Sequence, residues 1–172
     1  SEVIECDEVV EMTDIPSEAI KNKKKSSMSQ AIESVSKKYS DAALSFGNTG
    51  ALMTFALLMI KTLSGIRRPS IASIWPNLSG DSIILDLGAN TKQDSRFLID
   101  NALLGSSLAS ILFQIDKPSI GLLNVGTEEN KGNDEIRMAS EKLQNLSNNK
   151  IVNYFGFVEG NDISLGKTNV VV

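Results

Sequence analysis

Histidine is absent from the 172 residues. No Ser-His-Asp triad, Cys-His dyad, histidine general base or histidine metal ligand can be assembled. A single cysteine, Cys6, leaves no intrachain disulfide, no CxxC redox pair and no thiolate zinc site. The sequence holds no G-x-x-x-x-G-K-[ST] and no G-x-G-x-x-G, so the P-loop and the usual dinucleotide fingerprint are both missing. A basic excess is missing too. Lys and Arg number 17 against 21 Asp and Glu, a net charge of -4, which argues against a nucleic-acid partner. The longest apolar run, residues 51–60, is interrupted by Thr54 and falls far short of the roughly 20 residues that span a bilayer. The opening residues are acidic, unlike a signal peptide, and one cysteine suits a reducing compartment, so a soluble cytoplasmic chain is expected. Chemistry must therefore rest on backbone amides, Asn, Ser, Thr, Lys, Arg and carboxylates.

What is present suffices for one domain with a real core over 1–172, since 41% of residues are hydrophobic and 22% charged. Strand-like Glu2-Val3-Ile4 at one end and Asn169-Val170-Val171-Val172 at the other predict a piece of a longer protein, because a buried strand needs neighbours on both sides. The charge is segregated. Residues 1–20 carry seven acids and no base; residues 21–38 carry six lysines and one acid, Glu33. Lys21, Lys23, Lys24, Lys25, Lys37 and Lys38 form either a solvated helix face or a docking patch for an acidic partner.

Periodicity and punctuation outline the elements. Pro16 opens a helix, and Ser27 caps a second with Met28, Ile32 and Val35 on one face. Residues 42–46 are a short apolar run read as a strand, followed by an apolar helix over 51–63. Arg67-Arg68-Pro69 is a break. Strands are predicted at 71–75, 82–87, 119–125 and 151–158. Helices fall between them: one capped by Asp94 or Ser95, and an amphipathic one over 135–146. Trp75 and the methionines are expected in the core. Continuous apolar strands alternating with helices predict a doubly wound, mostly parallel α/β sheet.

Four strand ends share one grammar, an apolar run and then Gly with Asn, Thr or Glu. They are Phe46-Gly47-Asn48-Thr49-Gly50, Leu87-Gly88-Ala89-Asn90, Asn124-Val125-Gly126-Thr127-Glu128-Glu129 and Val158-Glu159-Gly160-Asn161-Asp162. Ligands of open parallel sheets sit beyond the carboxyl ends of the strands, so these turns are expected along one edge. Glycine admits a close backbone approach, and Asn and Thr add neutral hydrogen-bonding groups. Gly47 to Gly50 precedes an apolar helix whose N-terminus would favour an anion. Lys131 stands in a charged loop before the next helix, whose cap is Asn133 or Asp134. Asp86 closes an apolar strand, either as a cleft carboxylate or as an acceptor of backbone N–H groups.

Taken in order, these stretches resemble one family. Ser45-Phe46-Gly47-Asn48-Thr49-Gly50-Ala51-Leu52-Met53 is similar to the "SAGNTGALM" stretch of the phosphate acyltransferase family of bacterial phospholipid synthesis. Arg68-Pro69-Ser70-Ile71-Ala72, Leu85-Asp86-Leu87-Gly88-Ala89-Asn90, Gly121-Leu122-Leu123-Asn124-Val125-Gly126 with Glu128-Glu129 and Lys131-Gly132-Asn133, and Gly156-Phe157-Val158-Glu159-Gly160 resemble its later motifs. The family's chain is about twice as long, with a second half that this sequence lacks. Departures are Thr91-Lys92-Gln93-Asp94, where Lys92 replaces a carboxylate, and Asn161.

The resemblance implies a three-layer α/β/α sandwich like that of isocitrate and isopropylmalate dehydrogenases. It implies transfer of a long-chain acyl group from acyl carrier protein to inorganic phosphate, by a homodimer loosely held at the inner face of the membrane. No cofactor and no metal are implied. By matched motif, Asn48, Thr49, Lys131 and Asn133 would be catalytic. Gly47, Gly50, Asp86, Gly88, Asn90 and Glu159 would hold phosphate or acyl phosphate, and Lys21, Lys23, Lys24 and Lys25 would dock the acidic carrier. The alternatives are a phosphotransacetylase-like enzyme using acyl-CoA and an inactive fragment that binds phosphate or a partner.

Overall fold

The computed structural model describes residues 3–90 and 92–172. Thr91, and the Glu2 of the expected opening strand, lie outside the described residues; Val3 and Ile4 are exposed, irregular chain. Two compact units form, residues 1–69 and 70–172, divided at the Arg67-Arg68-Pro69 break.

The first unit is helical. α1 (Pro16–Asn22), α2 (Ser27–Ser36) and α3 (Thr49–Met59) close on a small core of Val10, Ala19, Met28, Ile32, Ala51 and Phe55. Pro16 starts α1 where a missing N–H costs nothing. The cap of α2 is Ser26, not Ser27: its Oγ accepts the Ser29 N–H at 3.3 Å. The apolar run at 42–46 is no strand. Leu44 and Phe46 are exposed, and among the described residues no strand pairs with it. α3 stops at Met59, short of the expected residue 63, because Lys61 turns into the left-handed region (φ 70°).

The second unit is an α/β fold. Its elements run β1 (Ser73–Asn77), β2 (Gly80–Ile84), α4 (Ser95–Phe113), β3 (Ser119–Leu123), α5 (Asp134–Asn148), β4 (Asn153–Val158), α6 (Gly160–Leu165) and β5 (Val170–Val171). Among the described residues the sheet has five strands in the order β1-β2-β5-β3-β4. All neighbours are parallel except β1 and β2, which only Leu78 and Ser79 connect, too short a link for a crossover. Ile120, Gly121 and Leu122 are buried in succession on β3, the signature of a strand covered on both faces. Trp75, expected in the core, is half exposed on the outermost strand β1; Met12 and Met138 are exposed as well, and Met28 alone of these is buried.

α4 is long and apolar enough to cross a membrane by length and composition. Its buried face, including Phe97, Leu98, Ala102, Gly105 and Ala109, belongs instead to the core shared with β2, β3 and β5. Gly105 sets how closely it packs. A Cβ there would come within 2.5 Å of both Leu85 Cδ1 and Val170 Cγ1.

Gly105→Ala is therefore expected to destabilise this unit by up to about 2 kcal/mol. The overlap costs roughly 1–3 kcal/mol and the helix-propensity gain of about 1 kcal/mol only partly offsets it. Chemical denaturation of the two variants measures the difference, and a stabilised Gly105→Ala protein would refute the tight α4–sheet contact.

Candidate active site

Three of the four glycine turns follow β2, β3 and β4, and the parallel register brings them to one edge of the sheet. An apolar cavity of about 250 Å³ lies among the strand ends, lined by Leu85, Leu87, Leu98, Leu122, Leu123 and Ile136, together with Asp86 and Gln93. The fourth turn, residues 47–50, belongs to the helical unit and follows irregular chain rather than a strand.

After β2, the Asp86 carboxylate acts as a clip. Oδ1 accepts the Ile71 N–H at 2.9 Å, while Oδ2 accepts the Asn90 backbone N–H at 2.9 Å and Asn90 Nδ2 at 2.8 Å. These bonds fold residues 86–90 into a tight loop with Gly88 at φ 81°. Asp94 Oδ1 then caps α4 through Phe97 N–H at 2.8 Å. Glu135, in the first turn of α5, reaches across to accept the Ser95 N–H at 2.6 Å. That bond ties the loop after β2 to the loop after β3. Lys92 is exposed.

After β3, Asn124 is only 8% exposed and braces the next loop. Its Oδ1 accepts the Val125 N–H at 2.9 Å, and its Nδ2 donates to the Lys131 carbonyl at 3.2 Å. Asn133, not Asp134, caps α5, with Oδ1 accepting the Ile136 N–H at 2.9 Å. Arg137 Nη1 donates to the Gly132 carbonyl at 2.7 Å and also pairs with Asp134. The Lys131 side chain is exposed.

After β4, Glu159 opens α6 in a capping box: Asp162 Oδ2 accepts the Glu159 N–H at 3.0 Å. Asp162 Oδ1 also pairs with Lys167 Nζ at 2.6 Å. The Glu159 N–H first, and Lys167 second, hold the Asp162 carboxyl below its ordinary value. On the neighbouring β4 surface, burial pushes the Tyr154 phenol up, against the opposing pull of its 2.8 Å bond to Ser140.

In the helical unit the Asn48 side chain is fully engaged. Oδ1 accepts the Ala51 N–H at 3.0 Å as the cap of α3. Nδ2 donates to the carbonyls of Glu11 (3.2 Å), Met12 (3.2 Å) and Asp14 (2.9 Å). Thr49 and Gly50 are exposed at the start of α3, and Gly47 sits against Met28. Asp14 Oδ2 in turn accepts the Glu11 N–H at 2.8 Å and pairs with Lys23 at 2.5 Å. The Lys23 bond chiefly, then the Glu11 N–H, lowers the Asp14 carboxyl. Of the four lysines expected to dock a carrier, Lys23 is spent on this pair, and Lys21, Lys24 and Lys25 are exposed.

The structure thus brings Asp86, Gly88, Asn90, Lys131, Asn133 and Glu159 to one sheet edge. The sequence places Asn124 in its turn without a role of its own, and it does not single out Glu135. Asn124 carried a signal, since it ends an apolar strand before a glycine. Glu135 carried none, because an acid in a first helical turn is ordinary. Among the described residues no cluster of three or more His, Cys, Asp or Glu could hold a metal.

Two outcomes are expected. Asn48→Ala should destabilise the helical unit by about 2 kcal/mol, through loss of the cap and three unpaired carbonyls. Asn48→Asp should not rescue it, although Asp is as good a cap, because a carboxylate would face those carbonyls; thermal melts compare the three. The depressed Asp162 carboxyl contributes stability above its unfolded value of 3.8, and this is lost as pH falls from 3.8 through the lower folded value. The stability gap between wild type and Asp162→Asn should therefore close under acid, and a gap independent of pH would remove Asp162 as its source.

The family model described as "Fatty acid synthesis protein" matches residues 1–172. The chain is 50% identical over 173 residues to the phosphate acyltransferase of Azorhizobium caulinodans, covering 100% of this chain and 48% of that protein. It is 47% identical to the phosphate acyltransferase of Xanthobacter autotrophicus, with the same coverage, and 44% identical over 169 residues to that of Sinorhizobium fredii, covering 98% of this chain and 48% of that one. The chain spans about half the length of these curated relatives. Among solved structures, the EutD phosphotransacetylase from Staphylococcus aureus superposes with a TM-score of 0.54 at 21% identity, over 70% of this chain and 42% of that one, a likeness of fold. The chain belongs to the fatty acid synthesis protein family, and the curated relatives it resembles along its whole length are phosphate acyltransferases.

Proposed function

We propose that this chain is part of an enzyme that moves a long-chain fatty acyl group from acyl carrier protein to inorganic phosphate, giving acyl phosphate for bacterial phospholipid synthesis. The observation that carries the reading is the whole-chain similarity to proteins named phosphate acyltransferase. The chemistry asks for no histidine from this chain. A phosphate oxygen attacks the thioester carbonyl carbon and the carbon–sulfur bond breaks. The proton of hydrogen phosphate ends on the leaving thiol. The protein's task is to position two reactants and to aim donors and cations at the charge that develops.

In this reading Lys131 supplies the cation beside the phosphate, and the apolar cavity at the strand ends suits the acyl chain. Asn133 and the Asp86–Asn90 loop shape the polar rim, and Glu159 holds the start of α6. In the helical unit, taken by itself, the turn at residues 47–50 exposes Thr49 and Gly50. Asn48 holds that turn in shape, since its own amide is spent on residues 11–14. Lys21, Lys24 and Lys25 are the docking face for an acidic carrier protein.

The test uses the protein of the complete reading frame with palmitoyl–acyl carrier protein, with and without inorganic phosphate. Phosphate-dependent release of carrier thiol, matched by hydroxylamine-trappable acyl phosphate, is expected. Release from palmitoyl-CoA but not from the carrier thioester would assign the protein to the coenzyme A reaction. No release from either, with a folded protein, would overturn the enzymatic reading. Lys131→Ala should lower kcat/KM on the order of 10²-fold. Lys24→Glu with Lys25→Glu should raise the KM for the carrier thioester by roughly tenfold, a gap that added salt narrows.

A further inference from the structure

We propose that Asn124 is a positioning residue that acts through Lys131, and that Gly126 and Gly132 are the two notches that let it do so; this rests on the reading of Lys131 as the phosphate-side cation. The loop between β3 and α5 is made of polar and glycine residues apart from Val125, which is exposed, so its shape must come from specific bonds. Asn124 provides them from a buried position at the end of β3. Its Nδ2 holds the Lys131 carbonyl at 3.2 Å, and its Oδ1 holds the Val125 N–H at 2.9 Å. One amide side chain thereby pins both ends of the loop.

The glycines fit this bracket. Gly132 lies at φ 83°, and a Cβ there would stand 2.5 Å from Asn124 Oδ1, so only glycine lets the chain wrap onto the amide. At Gly126 a Cβ would meet Lys131 Cγ at 3.2 Å and Cδ at 3.7 Å, and Glu128 Oε2 at 2.7 Å. The aliphatic stem of Lys131 therefore lies across the bare Gly126 backbone. A turn bond from Lys131 N–H to the Glu128 carbonyl, at 3.0 Å, completes the hold. Lys131 is fixed at its carbonyl by Asn124 and along its stem by Gly126, while its charge faces solvent. A long flexible cation is thus presented with part of its rotamer entropy already lost, which is what catalysis by positioning requires.

The test is a double-mutant cycle in the protein of the complete reading frame, read as kcat at saturating palmitoyl–acyl carrier protein and phosphate. Asn124→Ala is expected to lower kcat on the order of tenfold, and Gly126→Ala several-fold by displacing the stem. In the Lys131→Ala background neither should lower kcat further, because their effect passes through Lys131. The atoms nearest a Cβ at Gly126 belong to the flexible side chains of Glu128 and Lys131, so Gly126→Ala carries the test if Asn124→Ala fails to fold, as judged by its melting temperature. Losses that multiply with that of Lys131→Ala would mean a general structural role and overturn the proposal. Normal kcat in Gly126→Ala and in a folded Asn124→Ala, with Lys131→Ala impaired, would overturn it while leaving the proposed function intact. Full turnover in Lys131→Ala would remove the lysine from the mechanism, and this proposal with it.

Discussion

The α/β unit depends on two residues in the middle of its sheet. Val170 and Val171 pair with β2 on one side and β3 on the other, and both are buried. Without them the β1–β2 hairpin and the β3–β4 pair would have no shared hydrogen bonds. Flanking bonds extend the seam. Ile83 N–H donates to the Asn169 carbonyl at 2.8 Å, Leu85 N–H to the Val171 carbonyl at 3.0 Å, and Leu123 N–H to the Val172 carbonyl at 2.7 Å. Register is fixed at one end by a reciprocal pair. Asn169 Oδ1 accepts the Ser119 N–H, and Ser119 Oγ accepts the Asn169 N–H. Since a one-residue slip would turn every side chain to the other face, this pair also decides which residues end at the carboxyl edge.

From that register the candidate site follows. The loops after β2, β3 and β4 are polar and glycine-bearing, and each is held by a side chain of its own. Asp86 gathers three N–H donors, Asn124 bridges the ends of its loop, and Asp162 folds back on Glu159. Glu135 joins two of the loops by capping the start of α4 from α5. Most of the polar residues at this edge are thus fasteners. Lys131 differs from these fasteners, with its backbone carbonyl held by Asn124 and its side chain exposed. This division of labour suits the proposed acyl transfer, in which phosphate is the nucleophile and the protein contributes geometry and field.

The helical unit follows the same logic. Asn48 caps α3 and holds three carbonyls of residues 11–14, and Asp14 passes the connection on to Lys23. Among the described residues, the Asp14–Lys23 ion pair joins the acidic residues 1–20 to the lysines of 21–38.

Most elements were legible in the sequence because their signals are local. Pro16, Asp94 and Asn133 mark helix starts, apolar runs mark β3 and β4, and glycine with Asn or Glu marks the turns at the sheet edge. The 42–46 run misled because apolar character alone does not supply a strand with a partner. Trp75 misled because size does not reveal that β1 lies outermost. By itself the sequence determined the class of fold, the family, and the exclusion of histidine chemistry, an intrachain disulfide and a thiolate zinc site in this chain. Only the tertiary structure decided that Val170 and Val171 sit between β2 and β3, that Asn48 and Asp86 are consumed by their own backbone, and that Asn124 and Glu135 shape the site. The reason is that helix, turn and charge are set by neighbours in the chain, whereas the partner of a buried strand or amide lies tens of residues away and exists only once the sheet has closed.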